Sequence, residues 1–191
     1  MPSVMWTFTL AAAATLVAAS SSSFSSSSDD DKFQIYAYGD EIGGFPIISA
    51  GEDAFIGDHT LIDNDELAPV IFTPDSGVLT GSPNTTAALN SSSLPTWADL
   101  KLGVPSPSSS SHTVRFASSN STNSTDLITD EWSRYGSFVG IESNGTMNML
   151  WYAAPSDTDG VYKLQWNDTV DSTEGLITLS LRTSAPSNEE A

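Results

Sequence analysis

The chain has 191 residues, of which 39% are apolar, 24 are acidic and 6 are basic, and it contains no cysteine. The formal charge of -18 at pH 7 argues against nucleic acid as a partner, because contacts to phosphate need Lys and Arg side chains. Without cysteine, a thiol nucleophile and disulfide bonds are excluded, so apolar burial and hydrogen bonding must stabilise the single domain that this length predicts.

The first predicted element is a signal peptide over residues 1–19. Its apolar run ends in Val17, Ala18 and Ala19, is too short to span a bilayer, and offers small residues for peptidase cleavage. Residues 20–32 are rich in Ser and Asp and are predicted to form a disordered spacer. Residues 188–191 form a polar tail without the hydrophobic signal of a glycolipid anchor. We therefore expect a secreted, extracellular protein without integral membrane association.

Residues 33–187 are predicted to form one β domain, because short runs of branched and aromatic residues recur between turn signals. The predicted strands are Phe33–Tyr38, Phe45–Ile48, Ala54–Ile56, Val70–Thr73, Gly77–Leu79, Thr113–Phe116, Ser137–Ile141, Met147–Ala153, Val161–Trp166 and Leu176–Arg182. Long polar loops are expected near residues 84–126, with one short helix around Thr96–Lys101, where Pro95 and Thr96 can open a turn. In the last predicted strand, one face carries Ile177, Leu179 and Leu181, and the other carries Thr178, Ser180 and Arg182. Asn144-Gly145 gives the strongest hairpin signal.

This pattern predicts an all-β fold of antiparallel strands. A single β-sandwich or flattened barrel is the preferred architecture. A β-trefoil is the alternative, because the length of the domain suits it, although the sequence shows no threefold repeat.

The sequence contains several Asn-x-Ser/Thr sites for N-glycosylation. They are Asn84, Asn90, Asn120, Asn123, Asn144 and Asn167. Such sites arise by chance in a Ser- and Thr-rich chain, so they indicate N-glycosylation only in combination with an export signal. Glycosylation would place these asparagines on exposed turns.

Residues suited to catalysis are few. The two histidines, His59 and His112, lie beside a turn and a serine run and are interpreted as ordinary exposed residues. Asp75-Ser76-Gly77 is one Asp-Ser-Gly motif where an aspartic protease needs two, so we interpret it as a β-turn. The acidic runs at 63–66 and 157–159 do not fit an EF-hand loop. We predict no catalytic residue, no metal and no cofactor, while the many carboxylates leave a glycoside hydrolase open.

Aromatic side chains are the remaining candidates for binding. Tyr36 and Tyr38 alternate with Ile35 and Ala37, so they share the strand face opposite the predicted core. Exposed rings on such a face can stack on sugars, which makes both tyrosines candidate glycan-binding residues. Core packing is the competing and favoured interpretation, both for these tyrosines and for the aromatic residues of the C-terminal third.

Two stretches resemble small secreted proteins of ascomycete fungi that have no assigned activity. One is Phe33-Gln34-Ile35-Tyr36-Ala37-Tyr38-Gly39, continued by Gly43, Gly44, Pro46 and Ala54-Phe55-Ile56-Gly57. The other runs from Leu150-Trp151-Tyr152-Ala153-Ala154-Pro155 through Asp157-Thr158-Asp159-Gly160-Val161-Tyr162, Leu164 and Trp166 to Ser184-Ala185-Pro186-Ser187. The opening strands are also loosely similar to fungal cell-wall glycoproteins. The resemblance implies a fungal extracellular setting and supplies no catalytic residue.

The leading functional hypothesis is a noncatalytic, acidic, N-glycosylated β-protein of the fungal cell wall or extracellular space. One alternative is an apoplastic effector or cell-death elicitor acting on a plant host. Another is a glycan-binding module or glycoside hydrolase. Expected partners are accordingly cell-wall polysaccharide or a host apoplastic protein, and the negative charge disfavours anionic polymers.

Overall fold

The computed structural model of the chain describes residues 22–23, 31–86, 93–118, 126–166 and 174–187. The predicted signal peptide and the polar tail 188–191 lie outside these ranges, as does most of the predicted spacer. Residues 22–23 and 31–32 are the described parts of that spacer, and Ser22–Ser23 form a two-residue strand.

The described residues form mainly β-strands, and a 3₁₀ turn spans His59–Leu61. The strands are β1 (Ser22–Ser23), β2 (Tyr36–Gly39), β3 (Ile42–Ser49), β4 (Phe55–Gly57), β5 (Ala68–Asp75), β6 (Val78–Pro83), β7 (Leu100–Pro105), β8 (Arg115–Ala117), β9 (Leu127–Ile128), β10 (Trp132–Tyr135), β11 (Phe138–Ser143), β12 (Thr146–Asn148), β13 (Trp151–Pro155), β14 (Val161–Trp166) and β15 (Ile177–Arg182). No α-helix occurs in the described ranges, so the all-β prediction is confirmed. In the same ranges, no helix has the length and apolar character needed to cross a bilayer.

Six antiparallel strands close into a barrel. Around the ring, β2 pairs with β3, β3 with β4, β4 with β14, β14 with β13, β13 with β15, and β15 again with β2. Closure pairs strands from opposite ends of the chain and leaves the ring without a free edge.

The other strands attach to this barrel at β3 and at β15. β5 pairs with β3 and leads through β6 and β7 to β8, while β9 pairs with β7. β11 pairs with β15 and carries β10 and β12 as its neighbours. The two-residue β1 pairs with β10.

Two-residue turns with positive φ join consecutive strands. Asn144 (φ 52°) and Gly145 (φ 73°) connect β11 to β12, which confirms the predicted hairpin. Ser76 (φ 48°) and Gly77 (φ 86°) connect β5 to β6 in the same way, so Asp75-Ser76-Gly77 is a turn. Positive φ at both central residues is the geometry of the type I′ turn, whose twist matches that of the flanking strands.

The predicted helix at Thr96–Lys101 is wrong. Asp99 has a φ of 54°, which a right-handed helix does not accommodate, and β7 begins at the next residue. Leu102 and Val104 are fully buried in β7, and that strand pairs with β6 and β8. Leu100, Leu102 and Val104 show the period of two that is typical of a strand, whereas the predicted helix depended on the turn signal of Pro95 and Thr96.

Some observed strands also differ from the predicted ones in their limits. The single strand expected over Met147–Ala153 is divided into β12 and β13, because β12 pairs with β11 whereas β13 pairs with β14 and β15. Strands β9 and β10 were not predicted. In β15, by contrast, Leu179 and Leu181 are buried while Thr178 is exposed, which confirms the predicted alternation of faces.

One hydrophobic cluster fills the barrel and continues under the attached strands. Three tryptophans pack against one another inside it: the ring of Trp132 stacks on that of Trp151 at 5.7 Å between centroids, and the tilted ring of Trp166 lies 4.4 Å from that of Trp151. The Nε1 of Trp132 donates to the carbonyl of Leu102, and the Nε1 of Trp151 donates to that of Val139, each at 2.9 Å. These indoles are therefore core residues with satisfied N–H groups.

Candidate binding groove

A groove lies where β2, β3 and β15 meet the C-terminal segment that follows β15. It is lined by Tyr38, Gly43, Gly44, Phe45, Arg182, Ser184, Ala185, Pro186 and Ser187, and it encloses about 520 Å³. We call it the Tyr38 groove. Its size falls in the range of small-ligand sites, which combine apolar walls with a few polar groups.

A β-bulge at Gly44 shapes one wall of the Tyr38 groove. Ala37 pairs with Phe45 but Tyr38 pairs with Gly43, so Gly44 is the extra residue, with a φ of 96°. A Cβ at Gly44 would lie 2.9 Å from the Cβ of Pro186 and 3.0 Å from the Cε1 of Tyr38. Only glycine therefore lets the C-terminal segment pack this closely against the bulge.

Tyr38 holds the C-terminal segment in place. It is partly buried on β2, and its hydroxyl donates to the carbonyl oxygen of Ser184 at 2.9 Å. This bond joins positions 146 residues apart in the chain. The shape of the groove thus depends on a contact between the first barrel strand and the segment that follows the last one.

Arg182 is the charged residue that lines the Tyr38 groove. Its guanidinium carbon lies 4.6 Å from the ring centroid of Phe138 and 5.1 Å from that of Tyr38. Both distances are within the range of a cation–π interaction. Its Nε is buried and has no hydrogen-bond partner among the described residues.

The two predicted glycan-binding residues have different surroundings. Tyr38 lines the groove, whereas Tyr36 does not, and the Tyr36 hydroxyl donates to Oε1 of Gln34 at 3.2 Å. Both rings are partly buried. Sequence reasoning missed Arg182 as a site residue and predicted only that it shares a strand face with Thr178 and Ser180.

The sequence stretches that carried the resemblance meet at this groove. Tyr38, Gly43 and Gly44 come from the first stretch, and residues 184–187 end the second. They are adjacent because β2 pairs with β15 in the barrel.

A second, shallower groove gathers carboxylates. It is lined by Ser76, Gly77, Asp130, Glu131, Trp132, Ser133, Glu142 and Gly145, and it encloses about 300 Å³. We call it the acidic groove. The Ser133 hydroxyl donates to Oε2 of Glu142 at 2.9 Å, which fixes that carboxylate against β10.

Two of the predicted glycosylation sites lie in described residues. Asn144 is exposed at the tip of the β11–β12 hairpin. Asn84 follows β6, and its Oδ1 accepts hydrogen bonds from the backbone N–H and the hydroxyl of Thr86, the last residue of its own sequon. Asn90, Asn120, Asn123 and Asn167 lie outside the described residues.

The histidines lie apart from both grooves. His59 belongs to the 3₁₀ turn, and Nδ1 of His112 lies 3.2 Å from the carbonyl oxygen of Trp166. Hydrogen bonds from the hydroxyl and the backbone N–H of Thr60 lower the pKa of the Asp58 carboxyl, which caps that turn. In the described ranges, no three His, Asp or Glu residues are grouped so that they could hold a metal ion.

Comparison of the chain with protein-family models, with curated proteins and with solved structures gives no significant match.

Proposed function

We propose that this chain is a noncatalytic, acidic, N-glycosylated β-protein of the fungal cell wall or extracellular space, and that it binds saccharide in the Tyr38 groove. The observation that carries the proposal is the groove itself, where an aromatic ring, a proline and a guanidinium line one concave surface. A saccharide offers apolar C–H faces to rings and hydroxyls to polar groups, so it suits such a surface.

The extracellular part of the proposal rests on the sequence. The apolar run at 1–19 supports export, and Asn144 and Asn84 are accessible positions for glycan in the described part of the chain. The fungal setting rests on the resemblance of the two stretches.

Because one core cluster joins the barrel to the attached strands, we also propose to regard the domain as a flattened barrel rather than as two separate sheets.

The test measures binding of the purified, glycosylated protein to an array of fungal and plant cell-wall oligosaccharides. We expect a subset to bind, and Tyr38→Ala to weaken that binding at least about fivefold, as loss of roughly 1 kcal/mol of aromatic contact implies. Tyr135→Ala is the matched control, because Tyr135 is 40% exposed and does not line the groove.

Tyr38→Phe separates the two contributions of this residue. It keeps the ring and removes the hydrogen bond to Ser184, so any further loss relative to wild type reports on the position of the C-terminal segment. Absence of saccharide binding, together with necrosis when the protein is infiltrated into leaves, would contradict the proposal and favour the effector alternative.

Glycoside hydrolysis is a second candidate function, and the acidic groove favours it. Hydrolysis of a glycosidic bond uses two carboxylates, and this groove gathers Asp130, Glu131 and Glu142. The test is release of reducing sugar from the same oligosaccharides, with Glu142→Gln expected to abolish it. Asp159→Asn, at an exposed turn outside the groove, is the control. Release that Glu142→Gln leaves unchanged would exclude the acidic groove as its site.

A further inference from the structure

We infer that the saccharide bound in the Tyr38 groove carries an isolated carboxylate, such as a uronic acid unit on an otherwise neutral chain, and that Arg182 binds it. The inference rests on the proposed function and specifies its ligand. Arg182 carries it, because it is the charged residue among the described residues that line the groove and it forms no ion pair with another described residue.

The surroundings of Arg182 fix the orientation of its guanidinium. The group lies near the rings of Phe138 and Tyr38, at 4.6 Å and 5.1 Å from their centroids. The backbone holds both rings in place, because Arg182 pairs with Phe138 on β11 and with Tyr36 on β2, two residues before Tyr38. A guanidinium packed against rings keeps its N–H donors at its edge, where a planar, bidentate acceptor binds best.

No acceptor from the described part of the chain occupies this role. Among the described residues Arg182 forms no ion pair, whereas Arg115 binds Asp53 through its Nε at 2.9 Å. The Nε of Arg182 is buried without a hydrogen-bond partner. We expect the carboxylate to bind the terminal N–H groups of the guanidinium, because the buried Nε has no surface through which a ligand could reach it.

The lining of the groove favours a negative group locally, in spite of the overall charge. None of the described residues that line the groove is acidic. At physiological ionic strength the Debye length is about 8 Å, so carboxylates elsewhere on the surface repel a single bound charge only weakly. A polyanion would instead extend over the surface of a chain with a formal charge of -18 and would be repelled along its length. One carboxylate on a neutral chain therefore fits better than a polyuronate.

The experiment compares matched ligands by calorimetry: neutral oligosaccharides, the same oligosaccharides with one glucuronic acid unit, and the methyl esters of the latter. We expect the carboxylated members to bind roughly tenfold more tightly than the neutral members and the esters, as a charge-assisted hydrogen bond implies. Arg182→Gln should remove this preference, so that the carboxylated members, the neutral members and the esters bind with equal affinity. Arg182→Lys should retain part of it, because an ammonium keeps the charge but not the planar pair of donors.

The outcomes separate the two proposals. Failure of every saccharide to bind would overturn both of them. Equal affinity for neutral and carboxylated members, or a preference that survives in Arg182→Gln, would overturn this inference and leave the proposed function standing. Tighter binding of polyuronate or of sulfated saccharides would also overturn it. If Arg182→Gln does not fold, as judged by tryptophan fluorescence, the methyl esters still test the role of the charge on the unmodified protein.

Discussion

Replacing Trp132 with Phe tests whether the tryptophan stack joins the attached strands to the barrel. Trp132 is 1% exposed, and its Nε1 donates to the carbonyl of Leu102 on β7. Its ring stacks on Trp151 of the barrel at an angle of 10° between planes. One side chain of β10 therefore contacts both β7 and β13.

The expected loss of stability follows from the contacts that Trp132→Phe removes. Leaving the buried carbonyl of Leu102 without its donor costs about 1–3 kcal/mol. The smaller ring also leaves part of a cavity and weakens the stacking on Trp151, which adds about 1 kcal/mol. We expect the free energy of unfolding to fall by about 2–4 kcal/mol, which lowers the urea midpoint by about 1–2 M for a typical denaturant slope near 2 kcal/mol/M.

The assay is urea unfolding followed by far-UV circular dichroism, which does not depend on the altered fluorescence. Trp97→Phe is the matched control: Trp97 is only partly buried, and its Nε1 donates to the carbonyl of Glu66 at 2.8 Å, where water can replace the indole. We expect that control to lose about 1 kcal/mol. A loss in Trp132→Phe no greater than in Trp97→Phe would refute the role given to the stack.

Two further changes test a hairpin and a cap. Gly77→Ala should destabilise the protein more than Gly145→Ala, although both glycines occupy the second position of a type I′ turn. A Cβ at Gly77 would lie 2.7 Å from the carbonyl oxygen of Asp130, whereas a Cβ at Gly145 would meet open space. Equal urea midpoints for the two variants would contradict this prediction. Asp58→Asn tests the lowered pKa of Asp58. The ionised carboxylate stabilises the fold at every pH above the ordinary aspartate pKa, and this stabilisation is lost as the pH falls through the lowered pKa of the folded state. The deficit of Asp58→Asn should be below about 1 kcal/mol at pH 7, because the carboxyl is half exposed, and it should vanish once the pH is below the lowered pKa of Asp58. A deficit that does not change with pH would count against the assignment.

Local pattern was a good guide to individual strands. Alternation of apolar and polar residues identified β2 and β15 together with their buried faces, because side chains of a strand point alternately to its two sides. Asn144-Gly145 identified a hairpin, since few dipeptides adopt positive φ at both positions. The same reasoning failed at β7, because a local turn signal predicted a helix where pairing with β6 and β8 forms a strand.

The candidate site was less predictable. Tyr36 and Tyr38 share one strand face, so local pattern predicts both as candidates and does not distinguish Tyr38 from Tyr36. The difference arises from the bulge at Gly44 and from the hydrogen bond to Ser184, which bring the C-terminal segment over Tyr38. Neither contact has a local signal, because the residues involved are distant in the chain.

The sequence by itself determined that the chain forms short antiparallel strands, which faces of several of them are buried, and that its surface is strongly acidic. These properties depend on neighbouring residues and on composition. Only the tertiary structure decided that β2 and β15 pair to close a barrel, and that Arg182 lies between Phe138 and Tyr38. Barrel closure is a nonlocal event, since strand pairing depends on how all the apolar faces are buried together, and a groove formed by paired strands exists only after that closure.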